Sequence, residues 1–257
     1  MKNIIPLILA VFGIIYSSSC NQKSQSKLRI ATSSNMQFVM KEIVSDFEQE
    51  SGIPCEVVIG SSGNLTAQIL QGGPFDVLAS ADIEYCKKIQ KAGFGYGEIK
   101  PFAKGSLVMC VKKDYYEKGQ LSSSADDLSL LKKPVINKIA IPDPQVAPYG
   151  RAVKELLELD SVWNELKSKL VFGESVAQVN HLLQLGAVDA ALTSFSSSVV
   201  INFEEYICSE QFDEPHKPIL QSVIKLNPNE NSDKFYKFIL GEKAQSILAA
   251  HGYESVR

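Results

Sequence analysis

With 257 residues, 45% of them apolar and 21% charged, the chain has the make-up of a globular protein and the length for one large domain or two small lobes. Lysines and arginines number 26 against 29 aspartates and glutamates, a net charge of −3. That balance excludes the basic field that nucleic acid or an anionic membrane surface would need, and it means that a captured anion must be held by local dipoles.

Residues 1–20 read as a lipoprotein-type signal peptide. Lys2 supplies a positive start, and residues 4–16 form an apolar run too short for a typical spanning helix. Ser17, Ser18 and Ser19 then lead to Cys20. A small-residue tripeptide before cysteine resembles a bacterial lipobox, in which the cysteine is lipidated, although Ser17 stands where leucine is usual. Ordinary signal-peptide cleavage beside an incidental cysteine is the alternative. Residues 21–27 are polar and read as a flexible tether.

The mature segment alternates strand and helix patterns. Residues 28–31 form a short apolar strand, and 37–50 a helix with Val39, Met40, Ile43, Val44 and Phe47 on one face. A strand at 55–59, a Gly-Ser-Ser-Gly turn and a helix at 64–71 follow, broken by Gly72-Gly73-Pro74. A third strand at 75–79 and helix at 83–92 complete a β-α-β-α-β order, which implies a parallel sheet with right-handed crossovers. A second β/α unit follows: strands at 107–112 and 139–141, a helix from about Tyr149 to 159, helix 162–169, strand 170–172, helix 176–185 and strand 188–193. A strand at 219–226 and helices at 235–240 and 242–251 close the chain.

Four cysteines follow Cys20: Cys55, Cys86, Cys110 and Cys208. No C-x-x-C pair occurs, so a metal or redox motif is unsupported, while export permits disulfides. Cys55 and Cys110 lie in apolar strand-like runs and read as buried free thiols.

The candidate chemistry follows the strands. Ser33-Ser34-Asn35, Ser61-Ser62-Gly63, Tyr149-Gly150 and Glu174-Ser175-Val176 each mark a helix start reached from the carboxyl end of a strand. Such ends carry unpaired N–H groups and partial positive charge, and bind anions readily. Each alone is an ordinary cap or turn. Two in each half could converge on one anion if the halves face each other across a cleft. The donors would be neutral: N–H groups, serine and asparagine side chains, and the Tyr149 hydroxyl. Asp76 and Asp82 read as structural, Asp82 as a helix cap. Glu174 is expected to face solvent or cap its helix.

The strings Ser33-Ser34-Asn35-Met36, Gly60-Ser61-Ser62-Gly63-Asn64-Leu65, Gly72-Gly73-Pro74-Phe75-Asp76-Val77, Ser80-Ala81-Asp82 and Ala147-Pro148-Tyr149-Gly150 together resemble the periplasmic molybdate-binding proteins of molybdate ABC transporters. The resemblance runs from Leu28 to Tyr253. It implies an α/β, two-lobed type II periplasmic binding protein fold with the ligand in the interlobe cleft. It also implies lobe 1 at 28–104 plus 222–257 and lobe 2 at 105–221. The implied ligand is molybdate or tungstate, held by Ser34, Asn35, Ser62, Tyr149 and the backbone N–H of Val176. Molybdenum would be bound as the oxyanion by those residues, with no bare metal ion, no cofactor and no catalysis. A membrane permease is the implied partner, with a lipid-anchored, monomeric protein outside the cytoplasm. Some members use a tyrosine hydroxyl near Thr193-Ser194; none stands here, so Thr193 or Ser194 substitutes, or Tyr149 acts alone.

Sulfate, phosphate or a phosphonate are the alternative ligands, which sequence does not separate by radius. An exported serine hydrolase is disfavoured, because Gly60-Ser61-Ser62-Gly63 lacks the spacing of a nucleophile elbow and His181, His216 and His251 lie in no catalytic pattern. A structural or adhesion role would predict no stabilisation by any oxyanion.

Overall fold

The computed structural model describes residues 27–256 except Asn202, Asp213 and Glu214. The leader at 1–20, Cys20 and the tether up to residue 26 lie outside the described residues.

The first unit runs β1 (Leu28–Ser33), α1 (Gln37–Ser51), β2 (Cys55–Gly60), α2 (Ser62–Leu70), β3 (Val77–Ser80), α3 (Ile83–Lys91) and β4 (Tyr96–Gly105). The second runs β5 (Leu107–Lys112), α4 (Lys113–Glu117), β6 (Ile139–Pro142), α5 (Pro148–Leu159), α6 (Trp163–Leu166), β7 (Leu170–Gly173), α7 (Val176–Gln184), β8 (Ala190–Ser194), α8 (Phe195–Val200) and β9 (Tyr206–Cys208). The chain then returns through β10 (Ile219–Lys225), α9 (Glu230–Ile239) and α10 (Glu242–Ala250).

Two five-stranded sheets result, in the orders β2-β1-β3-β10-β4 and β7-β6-β8-β5-β9. The orders correspond position by position. β1 and β6 are each flanked by two parallel neighbours, and β10 and β5 each add an antiparallel strand. The inner parallel strands β1, β3, β6 and β8 are covered on both faces, which accounts for their nearly continuous apolar runs. In the first lobe Ile30, Val77 and Ala79 face the core under α1, while Ala31 and Leu78 face Leu65, Ile69 and Ile89 of α2 and α3. In the second, Leu107, Met109 and Val111 face one core and Val108 and Cys110 the other. Each fully buried leucine or isoleucine contributes about 1.5–3 kcal/mol relative to exposure, so these sheet faces hold each lobe together.

The chain crosses between sheets at β4–β5, with only Ser106 between the strands, and returns at the start of β10. Ile219, the first residue of β10, pairs with Gly105 in the first sheet while its side chain packs into the core of the second lobe.

Four elements have no counterpart in the sequence reading: β4, α4, α8 and β9. β4 carries Gly97 and Pro101 and pairs with β10 through two register shifts, so it shows no clean alternation. β9 is three residues long, and its pairing overturns one expectation. Cys110 is not a free thiol. It lies directly opposite Cys208 in the β5–β9 register, 4.0 Å apart at Cα, and the two form a disulfide closing a separation of 98 residues. Cys55 and Cys86 are free, Cys86 buried and Cys55 only half-buried. Burial, with Glu48 and Asp76 nearby, pushes the Cys55 thiol up to about 12, and burial pushes Cys86 upward as well. Neither is a reactive thiolate at neutral pH.

Candidate functional site

The site lies where the carboxyl ends of β1, β2, β6 and β7 meet. After β1 the chain makes one 3₁₀ turn, Ser34–Met36, before α1. After β2, Ser61 caps α2 by accepting from the N–H of Asn64 (3.3 Å), which makes Ser62 the first helical residue. After β6, Ala147 precedes Pro148 at the first position of α5. Proline has no N–H to offer there, so Tyr149 presents the first donor of that helix. After β7, Ser175 caps α7 by accepting from Gln178, leaving Val176 at its first position. Because the two sheets share a topology, these helix starts come in matching pairs, one pair from each lobe.

They converge on a small cavity of about 10 Å³. Its lining is Ser33, Ser34, Asn35, Ser61, Ser62, Ala81, Ala147, Pro148, Tyr149 and Val176. All five residues singled out in the sequence, Ser34, Asn35, Ser62, Tyr149 and Val176, are on its wall, and each is at most 3% exposed. No lining side chain carries a charge. That is room for about one water, far below the roughly 300–1,000 Å³ of pockets for organic ligands, so the lobes approach closely around it.

Ser33 and Ser62 touch through their hydroxyls (2.5 Å), and the N–H of Ala81, just past β3, donates to both oxygens (2.9 and 3.1 Å). Sequence reasoning placed Ser33 and Ser61 in the helix-start turns but did not assign Ser33, Ser61, Ala81, Ala147 or Pro148 to the ligand site. Ala81 contributes a main-chain group, which has no side-chain signature; the Asp82 cap that follows it was the available signal. Asp82 accepts from the N–H of Tyr85 (3.0 Å), as its position before α3 predicts.

Two side chains differ from expectation in direction. The Tyr149 hydroxyl is taken up by the interlobe crossing, 3.5 Å from Asn35 Nδ2, and a Cβ at Gly105 of β4 would lie only 2.1 Å from it. Burial raises the Tyr149 phenol well above its ordinary range, so it stays protonated. Asn35 Nδ2 has two hydrogens and donates to Gln221 Oε1 (3.0 Å) and the Tyr253 hydroxyl (2.9 Å). Thr193 bonds Asn180 and Ser194 bonds Ser197; neither lines the cavity. Glu174 is exposed. Asp76 sits just before β3, where it accepts from the Arg29 N–H (2.8 Å), Asn227 (3.1 Å) and Asn229 (3.2 Å), a structural arrangement.

The lobes touch around the cavity. The Gly63 N–H donates to Val146 O (2.9 Å), and the Ala177 N–H to Ser34 Oγ (3.4 Å). Arg151 of α5 bonds Asp82 and the Tyr85 hydroxyl (3.2 Å) and lies over the Tyr85 ring. Burial raises the Asp82 carboxyl above its usual range, and the cap and Arg151 oppose that shift.

Among the described residues no histidine is hydrogen-bonded to a cavity serine. His216 contacts the carbonyls of Lys217 and Phe212, His251 contacts Glu42, and His181 is exposed. Nor does any group of three His, Cys, Asp or Glu among those residues have metal-ligand spacing.

Two lobes, matching sheets and a small neutral cavity at the strand ends define an extracellular solute-binding protein of the two-lobed periplasmic type. The chain belongs to the bacterial extracellular solute-binding protein family, whose model matches residues 28–254. The molybdate-binding protein ModA of Azotobacter vinelandii is 28% identical over 235 residues, covering 89% of this chain and 90% of that one. ModA of Rhodobacter capsulatus is 29% identical over 227 residues, covering 87% and 86%. The solved structure of the Azotobacter vinelandii periplasmic molybdate-binding protein matches with a TM-score of 0.78 at 26% identity, over 90% of this chain and 100% of that one. The sulfate-binding protein SubI of Mycobacterium tuberculosis, 14% identical, shares the fold with a TM-score of 0.75.

Proposed function

We propose that this protein captures molybdate or tungstate between its lobes and hands it to the permease of an ABC importer. The residues assigned to the anion are Ser34, Asn35, Ser62, Tyr149 and Val176. The observation that carries the reading is the neutral cavity where four helix starts meet. The names and extent of the molybdate-binding relatives support the choice of ion.

A helix end stabilises a nearby anion by about 0.3–2 kcal/mol. A hydrogen bond to a charged group contributes about 1.5–3 kcal/mol. Direct donors therefore supply most of the affinity, and the dipoles set the sign of charge accepted. Since the Asn35 amide and the Tyr149 hydroxyl are engaged at the crossing, the assigned donors are the hydroxyls of Ser34 and Ser62 and the N–H groups of Asn35, Tyr149 and Val176. No lining carboxylate is present to accept a proton from the ligand, so a fully deprotonated dianion fits better than a protonated phosphate. Fixed neutral dipoles also avoid the desolvation cost of a buried ion pair, which favours release.

The same proposal includes lobe 1 at 28–104 plus 222–257, lobe 2 at 105–221, export with lipidation at Cys20, and a monomer without cofactor or catalysis. Calorimetric titration with molybdate, tungstate, sulfate and phosphate tests the ligand. Tight binding of the first two is expected; tight binding confined to sulfate or phosphate would overturn the assignment.

A further inference from the structure

Behind the cavity, five buried polar side chains from separate segments form one network: Asn35, Tyr149, Ser196, Gln221 and Tyr253, none more than 5% exposed. Tyr253 is its centre. Its hydroxyl donates to the main-chain oxygen of Asn35 (3.0 Å) and accepts from Asn35 Nδ2 (2.9 Å) and Ser196 Oγ (3.1 Å). It therefore grips Asn35 by both its peptide and its side chain. Ser196 belongs to α8 of the second lobe, and Tyr253 follows α10 of the first. The tail carrying Tyr253 is itself fixed, because Glu254 and Lys104 exchange main-chain hydrogen bonds (2.8 and 2.9 Å) at the end of β4, beside the crossing.

We propose that Tyr253 is a positioning residue for the anion site, holding the Ser34–Asn35 turn so that its donors face the cavity only when Ser196 of the closed second lobe completes the network. The turn is short and its 3₁₀ geometry lacks a side-chain cap of its own. Holding Asn35 at both its carbonyl and its side-chain amide restricts rotation about its φ and ψ, the two soft dihedrals that set the direction of its own N–H toward the cavity. The C-terminal tail thereby couples the shape of the site to closure of the lobes, a role distinct from contact with the ligand.

The inference rests on the oxyanion reading above, and the test separates the two. Wild type, Tyr253→Phe and Ser196→Ala are titrated with molybdate, tungstate, sulfate and phosphate, and the ligand-free melting temperature of each is measured. For whichever oxyanion wild type binds, Tyr253→Phe should raise Kd about tenfold, the scale of one lost hydrogen bond. Ser196→Ala should raise it in the same direction by less, and the double variant should be no worse than Tyr253→Phe alone. A purely structural hydroxyl would lower the melting temperature and leave Kd unchanged, and that result in Tyr253→Phe overturns the inference. If that variant does not fold, an unchanged Kd in Ser196→Ala overturns it instead. Binding of sulfate alone with a tenfold effect of Tyr253→Phe would sink the choice of ion and keep the positioning role; no binding by wild type would overturn both.

Discussion

At Ser62 two demands meet in one hydroxyl. It is fully buried, it shares the Ala81 N–H with Ser33, and it stands at the first position of α2. Replacing it with alanine leaves Ala81 its bond to Ser33, so the fold loses little. The anion would lose a charge-assisted donor. Ser62→Ala should weaken binding by about 1–3 kcal/mol in calorimetry, with a ligand-free melting temperature near wild type. Asn35→Ala should behave differently, lowering both quantities, because its amide also bonds Gln221 and Tyr253 at the crossing. That distinction was not legible in the sequence. Ser62 and Asn35 both read there as small polar residues at helix starts, and which atoms face the cavity depends on β10 and the C-terminal tail, more than 180 residues away.

At the scale of elements, the helix starts were the most legible feature, since serine and aspartate caps act through local hydrogen bonds. Ser61, Asp82 and Ser175 each accept from the N–H three residues on. The β4 and β9 strands were not legible, because their pairing is non-local: β4 is shaped by β10, and β9 is defined by β5 and the Cys110–Cys208 bond. Asp189, just before β8, is another long-range tie. It accepts from the Tyr115 hydroxyl (2.5 Å) and from the N–H groups of Asn137 (2.8 Å) and Lys138 (2.9 Å). Burial alone would raise its carboxyl, but these donors outweigh burial and hold it below the ordinary range. A depressed folded pKa means that the stabilisation is present above the unfolded value and is lost as pH falls through the folded one. Asp189→Asn should therefore cost about 1–3 kcal/mol at neutral pH in denaturant titrations. The gap to wild type should close in acid. A gap that is constant across that range would show that the carboxylate charge contributes nothing.

For the whole molecule, closure depends on how nearly the lobes can approach. A Cβ at Gly63 would lie 2.8 Å from Val146 O and 2.9 Å from the Tyr85 hydroxyl, so the contact tolerates no side chain. Gly63→Ala should hold the lobes apart, raise the Kd for the anion about tenfold, and reduce the compaction seen by small-angle scattering on saturation. The ligand-free protein should melt normally, because each lobe keeps its own cores. Two β/α units were legible from the repeated strand–helix order and the two-lobed plan from the family resemblance, whereas the size of the cavity was not, since it is set by main-chain approach between lobes. The central claim is that an oxyanion is held between the lobes by neutral donors. Crystals grown with molybdate or tungstate and measured at the metal's absorption edge test this most directly. The account predicts one strong anomalous peak within hydrogen-bonding reach of Ser62 Oγ and the Tyr149 and Val176 N–H groups. A peak beside a basic side chain such as Arg151, or none in the cavity at saturating anion, would contradict it.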